Sequence, residues 1–192
     1  MLAFIEPRST LAHILPKGGV GVEIGVFKGN FSDTMLRIAQ PTTLHLIDPW
    51  ISSTSNEHTK SLYSQVSRSQ NDMDTLHSEV CSRFAKQISA GRVVIHRETS
   101  ELAMNKFDNE SIDFVYVDGD HTEQAVDLDL TLAFEKVKRH GLICGDDYIL
   151  GNWWKGGVVR AVNRFIGKHF DQLSIVLVCD HQFILRKIAP IS

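Results

Sequence analysis

The sequence predicts an α/β fold, a single domain built on a mostly parallel sheet. Short apolar runs alternate with segments of helical periodicity, as expected when strands and helices alternate along a chain. Several runs are apolar at every position, which is typical of parallel strands buried on both faces. The 192 residues, 43% hydrophobic and 22% charged, suffice for one sizeable core and are too few for two comfortable domains. We therefore expect residues 1–192 to form one domain.

The apolar runs place the strands. Two late runs, LSIVLV and FILRKI, are separated only by CDHQ, and a connection that short joins antiparallel neighbours. This pair should lie at one edge of the sheet. The earlier runs predict parallel strands over residues 20–25, 43–47, 92–96, 112–117 and 142–144.

Helical spacing of apolar residues places the helices between these strands. A short helix over residues 10–15 is predicted within an N-terminal lead-in, residues 1–19, and another helix over residues 157–166. Residues 49–72 form a long polar segment, and a loop of that length in a compact domain is usually a functional lid or disordered. We favour a lid. Two further helices are indicated by the stripes Phe31, Met35, Ile38, Ala39 and Val126, Leu130, Ala133, Phe134, Val137.

Charge, cysteine content and hydropathy indicate which partners and which location to expect for the protein. The net charge of −3 and the lack of a Lys/Arg run give no reason to expect nucleic acid. Three widely spaced cysteines suit free thiols in a reducing compartment, so a cytoplasmic location is expected. No apolar run approaches the roughly 20 residues that span a bilayer, so no membrane partner is expected. A homodimer is compatible with the sequence.

The segment VEIGVFKGNFS has the features of a ligand loop. Gly25 and Gly29 follow a strand and precede a helix, where they permit a tight turn and close approach of a ligand to the helix N-terminus. Neither the dinucleotide-binding glycine pattern nor a P-loop is present. Glu23 is placed to attract a cation. Asp48 ends the second strand, where a carboxylate can bind both hydroxyls of a ribose; the alternative is a solvated turn residue.

Acidic residues follow the fourth and fifth strands. Asp118 and the pair Asp146–Asp147 should converge, because the carboxyl ends of parallel strands open into one crevice. Three such carboxylates repel one another without a counter-ion, and oxygen ligands without Cys or His pairs favour Mg²⁺. A magnesium site is therefore predicted at these three residues. The alternative is that Asp118 and Asp120 cap the following helix.

His121 and Asp120 compete for the role of general base. An unperturbed histidine pKa near 6.5 suits the removal of a hydroxyl proton. Trp50, Trp153 and Trp154 either pack against the lid or stack on adenine or an acceptor.

Four segments together resemble the successive motifs of class I S-adenosylmethionine (SAM)-dependent methyltransferases: VEIGVFKGNFS, LHLIDPW, DFVYVDGDHTEQAV and GLICGDDY. The resemblance covers residues 20–148. The DGDH and DDY segments are similar to the branch of macrocin-type sugar O-methyltransferases and their bacterial relatives. One departure is that this branch usually has Pro-Gly-Gly before the fifth strand, where this chain keeps only Gly141.

The resemblance implies a Rossmann-like three-layer sandwich with a seven-stranded sheet, order 3-2-1-4-5-7-6, in which strand 7 is antiparallel. It also implies SAM as cofactor. In the sugar-methylating branch a metal at the matching acidic positions orients two acceptor hydroxyls. By position, the cofactor would contact Glu23, Gly25 and Gly29 at its methionine part, Asp48 at the ribose, Ser100 and Glu101 at the adenine end, and Asp118 nearby.

Three functions from different classes remain open at this point. The first is O-methylation of a small hydroxylated acceptor, a sugar or natural product, with catalysis by proximity and deprotonation. The second takes Asp118 and Asp120 as the metal-binding D-x-D of a nucleotide-sugar glycosyltransferase, which leaves the glycine loop without a role. The third is a non-catalytic cofactor-binding module. The sequence does not identify the acceptor.

Overall fold

A seven-stranded sheet forms the centre of the computed structural model, which describes residues 7–52, 69–151 and 154–190. The strand order is β3-β2-β1-β4-β5-β7-β6, and β7 runs antiparallel to both of its neighbours. This is the order that the resemblance implied. The strands are β1 Val20–Ile24, β2 Thr43–Ile47, β3 Val93–His96, β4 Ile112–Val117, β5 Val137–Gly145, β6 Leu173–Cys179 and β7 Gln182–Lys187.

Helices cover both faces of the sheet. Successive residues of β4 alternate between two hydrophobic clusters: Phe114 and Tyr116 belong to one, and Val115 and Val117 to the other. The first cluster includes α1, α2 and α3, and the second α5, α6 and α7, which gives three layers. The helices are α1 Pro7–Ile14, α2 Asn30–Ile38, α3 Gln70–Arg83, α4 Ala85–Ser89, α5 Ser100–Met104, α6 Glu123–Lys136 and α7 Gly157–Lys168.

Strand register brings the predicted site residues to one edge. Ile24 of β1 pairs with Ile47 of β2 and with Val117 of β4, and Val117 pairs with Gly145 of β5. Four strands therefore end at the same level. The residues that immediately follow these strand ends are Gly25, Asp48, Asp118 and Asp146.

The predicted lid, residues 49–72, differs from the structure at its C-terminal boundary. Residues 53–68 lie outside the described part of the chain, and α3 begins at Gln70. The Ser69 side chain accepts a hydrogen bond from the Asp72 backbone N–H, and the Asp72 carboxylate accepts one from the Ser69 N–H. This capping box starts a helix that buries Met73, Leu76 and Val80.

The boundary between α6 and β5 also differs from the prediction. Val137, which the periodicity placed in the helical stripe, has an extended backbone and begins β5 opposite Ile112. The strand is thus longer than the predicted 142–144. The structure starts α1 at Pro7, earlier than predicted. The three cysteines are free thiols, and none of the described helices has both the length and the apolar content needed to cross a bilayer.

Candidate active site

Glu23 lies beneath the loop that joins β1 to α2. Its side chain is only 1% exposed, and its carboxylate accepts a hydrogen bond from the Ser32 hydroxyl in the first turn of α2. Burial raises the pKa of Glu23 to about 8, although the Ser32 hydrogen bond acts in the opposite direction. The carboxyl group therefore joins the end of β1 to the start of α2.

Both glycines of this loop occupy positions that exclude a side chain. Gly25 has a φ of +87°, and a Cβ added there would lie 2.0 Å from the carbonyl oxygen of Asp118. Gly29 has a φ of +71° and caps α2, and a Cβ there would lie 2.7 Å from the Phe84 ring. The loop after β1 is thus packed directly on the backbone after β4.

Asp48 is a buried carboxylate, so the alternative of a solvated turn residue is wrong. Its side chain is 2% exposed. Oδ2 accepts hydrogen bonds from the backbone N–H groups of Val26 at 3.0 Å and Phe27 at 2.9 Å, and Oδ1 accepts one from Trp50 at 2.8 Å. Asp48 thereby holds the glycine loop against the end of β2.

The tryptophans differ in environment. Trp50 is fully buried in the core, and its Nε1 donates to the Phe27 carbonyl at 3.1 Å, so it anchors the loop and does not present a stacking face. The Trp154 ring lies 4.8 Å from the His121 ring, tilted by 36°. Trp153 lies outside the described residues.

The predicted adenine-end residues begin α5. Ser100 faces Asp129, a buried residue of α6 whose pKa it acts to lower, while Glu101 is exposed. Burial raises the pKa of Asp129 to about 7, opposed by Ser100. Ser100 thus lies against α6.

Arg8 of α1 supplies a cation to the acidic cluster. Its Nη2 lies 3.0 Å from Oδ2 of Asp118 and also donates a hydrogen bond to Oδ2 of Asp146. The prediction of a metal rested on the lack of a fixed Lys or Arg within the motifs, and Arg8 is a cation from outside them. No local pattern signals this contact, because Arg8 is far from both acids along the chain.

Asp146 is fully engaged by protein groups. Besides Arg8, it accepts hydrogen bonds from the side-chain amide of Gln182 and from the Asp147 backbone N–H at 2.8 Å. The Tyr116 hydroxyl donates a hydrogen bond to the side-chain carbonyl oxygen Oε1 of Gln182 at 3.1 Å. Asp146 therefore links β5 to β7 and to α1. Neither Gln182 nor Tyr116 was anticipated, because Gln182 falls in the predicted connection CDHQ and Tyr116 reads as an ordinary strand residue.

His121 lies between two carboxylates. Its Nε2 is 2.8 Å from Oδ2 of Asp147 and 3.5 Å from Oδ1 of Asp118. Burial acts to lower the pKa of His121, but the two neighbouring carboxylates outweigh burial and raise the pKa to about 10. The free protein therefore carries an imidazolium here, not the imidazole of pKa near 6.5 that the general-base prediction assumed.

Three of these side chains fit a divalent cation. One ligand atom from each of Asp118, His121 and Asp147 lies within 4.8 Å of the other two. The predicted set was Asp118, Asp146 and Asp147; the structure differs because Arg8 and Gln182 engage Asp146, while His121 faces the other two acids. Two carboxylates and an imidazole are common donors for divalent ions.

Asp120 caps a turn. Its Oδ1 accepts a hydrogen bond from the Thr122 backbone N–H at 2.8 Å, just before α6 begins. This bond closes a turn in front of α6, whose N-cap residue is Thr122 and not Asp120. Asp120 still lines the crevice between β4 and β5, together with Asp118, His121, Asp146, Val158 and Phe183.

Comparisons with known proteins show which proteins the chain resembles. Residues 22–148 match the model of a family described as "Methyltransferase domain". No curated protein has a matching sequence.

Solved structures share the fold at low sequence identity. The O-methyltransferase TomG from Streptomyces achromogenes, in complex with SAM, is 18% identical with a TM-score of 0.66, over 97% of this chain and 82% of that one. A protein described as a putative rRNA methylase, from Clostridium thermocellum, is 12% identical with a TM-score of 0.65, over 97% and 98%. A Corynebacterium glutamicum protein is 17% identical with a TM-score of 0.61, over 95% and 79%.

Proposed function

Because the chain belongs to the methyltransferase-domain family, and is therefore a SAM-dependent methyltransferase of class I, we propose that it methylates a hydroxyl oxygen of a small acceptor. The acceptor would be a sugar or a natural product of similar polarity. Residues 1–192 would act as one domain.

One contact carries this proposal. The turn at Gly25 lies against the carbonyl oxygen of Asp118, close enough to exclude a Cβ. A methyl donor held by the glycine loop would therefore lie beside the crevice lined by Asp118, Asp120 and His121. This proximity is what direct transfer between two bound molecules requires.

The residues around the loop fit SAM. Gly25 and Gly29 let the loop pack against the Asp118 carbonyl and the Phe84 ring, and this packing fixes the backbone that a ligand would contact. Asp118, a half-buried carboxylate beside the loop, would provide a negative charge for a sulfonium, and Glu23, buried beneath the loop, would lie at the methionine part. When bound, SAM supplies an electrophilic methyl group. Asp48, at the end of β2, would bind the ribose hydroxyls, and Ser100 and Glu101 would lie at the adenine end.

Removal of the acceptor proton would fall to His121 or Asp120. His121 must first lose the proton that Asp118 and Asp147 hold on it. An added positive charge next to Asp118 weakens that hold and lowers the pKa of His121. Asp120, on the same crevice, is the competing base.

A divalent ion such as Mg²⁺ would be held by the carboxylates of Asp118 and Asp147, with Asp146 adjacent. Where the His121 imidazole also binds the ion, Asp120 is the base. It would supply coordination for two acceptor oxygens and make a hydroxyl proton easier to remove. The glycosyltransferase alternative, which used Asp118 and Asp120, lacks support, because the methyltransferase family model covers both residues.

The test is transfer of labelled methyl from SAM to a panel of acceptors. The panel contains sugars and glycosides with adjacent hydroxyls, phenols, and structured RNA, since one protein of this fold is described as a putative rRNA methylase. We expect label on a hydroxylated small molecule and a 10²–10⁴-fold slower transfer in either His121→Gln or Asp120→Asn, whichever removes the base. Label on RNA alone would contradict the small-molecule proposal. SAM binding without transfer to any acceptor would favour a non-catalytic module.

A further inference from the structure

We infer that Arg8 is a tethered counter-ion of the acidic cluster, and that a divalent ion must displace its guanidinium from Asp118 and Asp146. This inference rests on the proposed function, because it concerns the cation site proposed there. It assigns to the N-terminal helix α1 a role in controlling which cation the site holds.

The contacts of Arg8 show a cation already bound by two of the acids. A single nitrogen, Nη2, lies 3.0 Å from Asp118 and hydrogen-bonds to Asp146. The guanidinium carbon lies 5.9 Å from the centroid of the Phe31 ring, which supports the group from α2. The positive charge of Arg8 thus offsets the repulsion between the carboxylates of Asp118 and Asp146.

Asp118 is the residue that Arg8 and a divalent ion would share. One of its oxygens, Oδ2, faces Arg8, and the other, Oδ1, faces His121. An ion coordinated by Asp118 at about 2.0–2.6 Å would lie a few ångströms from the guanidinium. Repulsion at that separation is strong in a partly buried site. The two cations therefore exclude each other.

Arg8 can leave without unfolding α1. Its side chain is 38% exposed, so the guanidinium can turn into water. The rest of the helix is anchored independently, because Leu11, Ala12 and Leu15 are buried in the core. Only the side chain near the first turn has to move.

The experiment measures binding of Mn²⁺ to the full chain by calorimetry, without SAM or acceptor. Arg8→Gln removes the charge and keeps hydrogen-bonding capacity, Arg8→Lys keeps the charge, and Arg37→Gln removes one charge from an exposed position on α2. We expect Arg8→Gln to bind Mn²⁺ at least tenfold more tightly than the wild type, and the other two variants to stay within about threefold of it. Equal affinity in the wild type and Arg8→Gln, or no binding by Arg8→Gln, would overturn the inference.

A second readout needs no variant. Saturating Mg²⁺ should speed the exchange with water of the Arg8 side-chain N–H protons, followed by NMR in the wild type, while leaving the backbone amides of β4 unchanged. Unchanged exchange at the Arg8 side chain would contradict displacement. SAM affinity, measured separately, distinguishes the two failures. Equal Mn²⁺ affinities with intact SAM binding overturn the role of Arg8 alone, whereas absent SAM binding overturns the proposed function.

Discussion

The Nε2 atom of His121 lies 2.8 Å from Oδ2 of Asp147, and this contact joins the segment after β4 to the segment after β5. With Asp118 on the other side, the imidazole is held by two acids from neighbouring strands. The site therefore stores a proton between carboxylates, and Arg8 adds a second positive charge at its edge. The positive charges of protonated His121 and of Arg8 thus offset the negative charge of the carboxylates in this cluster.

The first prediction concerns the protonation of His121 in chelator-treated protein. Burial lowers its pKa, but the two acids dominate and raise it to about 10. NMR titration of the histidine side chains should show one midpoint well above 6.5, which disappears in His121→Gln. Asp147→Asn should move that midpoint down. A His121 midpoint at or below 6.5 in the wild type would contradict the proposed hydrogen bonding.

The second prediction concerns Glu23 and the pH dependence of stability. Burial raises its pKa in the folded protein from 4.5 to about 8, so the folded state favours the protonated form. The free energy of unfolding should therefore fall as pH rises from 4.5 to 8, by roughly 2–4 kcal/mol more in the wild type than in Glu23→Gln. Urea unfolding at several pH values measures this difference. Parallel pH curves for the two proteins would show that Glu23 ionises normally.

The third prediction compares two glycines with similar backbones. Gly25 and Gly18 both have positive φ, but a Cβ at Gly25 would meet the Asp118 carbonyl at 2.0 Å, whereas one at Gly18 would meet nothing within 4 Å. Gly18→Ala should lower the free energy of unfolding only by the cost of backbone strain, about 1–2 kcal/mol. Gly25→Ala should cost at least about 2 kcal/mol more and should also weaken SAM binding.

Equal losses of stability in these two variants would mean that backbone strain alone explains why position 25 requires a glycine. Unchanged SAM affinity in a folded Gly25→Ala protein would remove the loop from the cofactor site.

The fourth prediction concerns Asp48. Asp48→Ala should weaken SAM binding by about 1–3 kcal/mol, because ribose hydroxyls would be left unpaired in a buried site. It should also lower stability, since three backbone N–H groups lose their acceptor. Asp108→Ala, at an exposed position, is the matched control. An Asp48→Ala protein with wild-type SAM affinity would show that Asp48 only supports the loop.

The strand ends could be predicted because their signal is local. Apolar runs followed by Gly25, Asp48, Asp118 and Asp146 reveal both the strands and the edge at which they end, and parallel strands bring such residues together. The helix over Gln70–Arg83 was not predicted, and its first three residues were assigned to the polar segment 49–72, although Ser69 and Asp72 have capping-box spacing. Both the strand ends and the start of this helix thus have a signal in the local sequence.

The charge balance of the site could not be predicted in this way. Arg8 reaches Asp118 and Asp146 only because α1 packs against the folded sheet, and no spacing along the chain encodes that contact. For the same reason the protonation of His121 depends on Asp147, which belongs to a different strand end. Sequence patterns located the acids, and tertiary packing decided which cations they hold.

The most direct test of the proposed function is calorimetric titration of the wild-type chain with SAM, and separately with a UDP-sugar, each with and without Mg²⁺. We expect one SAM per chain, bound without any requirement for Mg²⁺, and no detectable binding of the UDP-sugar. The absence of SAM binding, or Mg²⁺-dependent binding of the UDP-sugar in its place, would contradict the account of the glycine loop as the cofactor site.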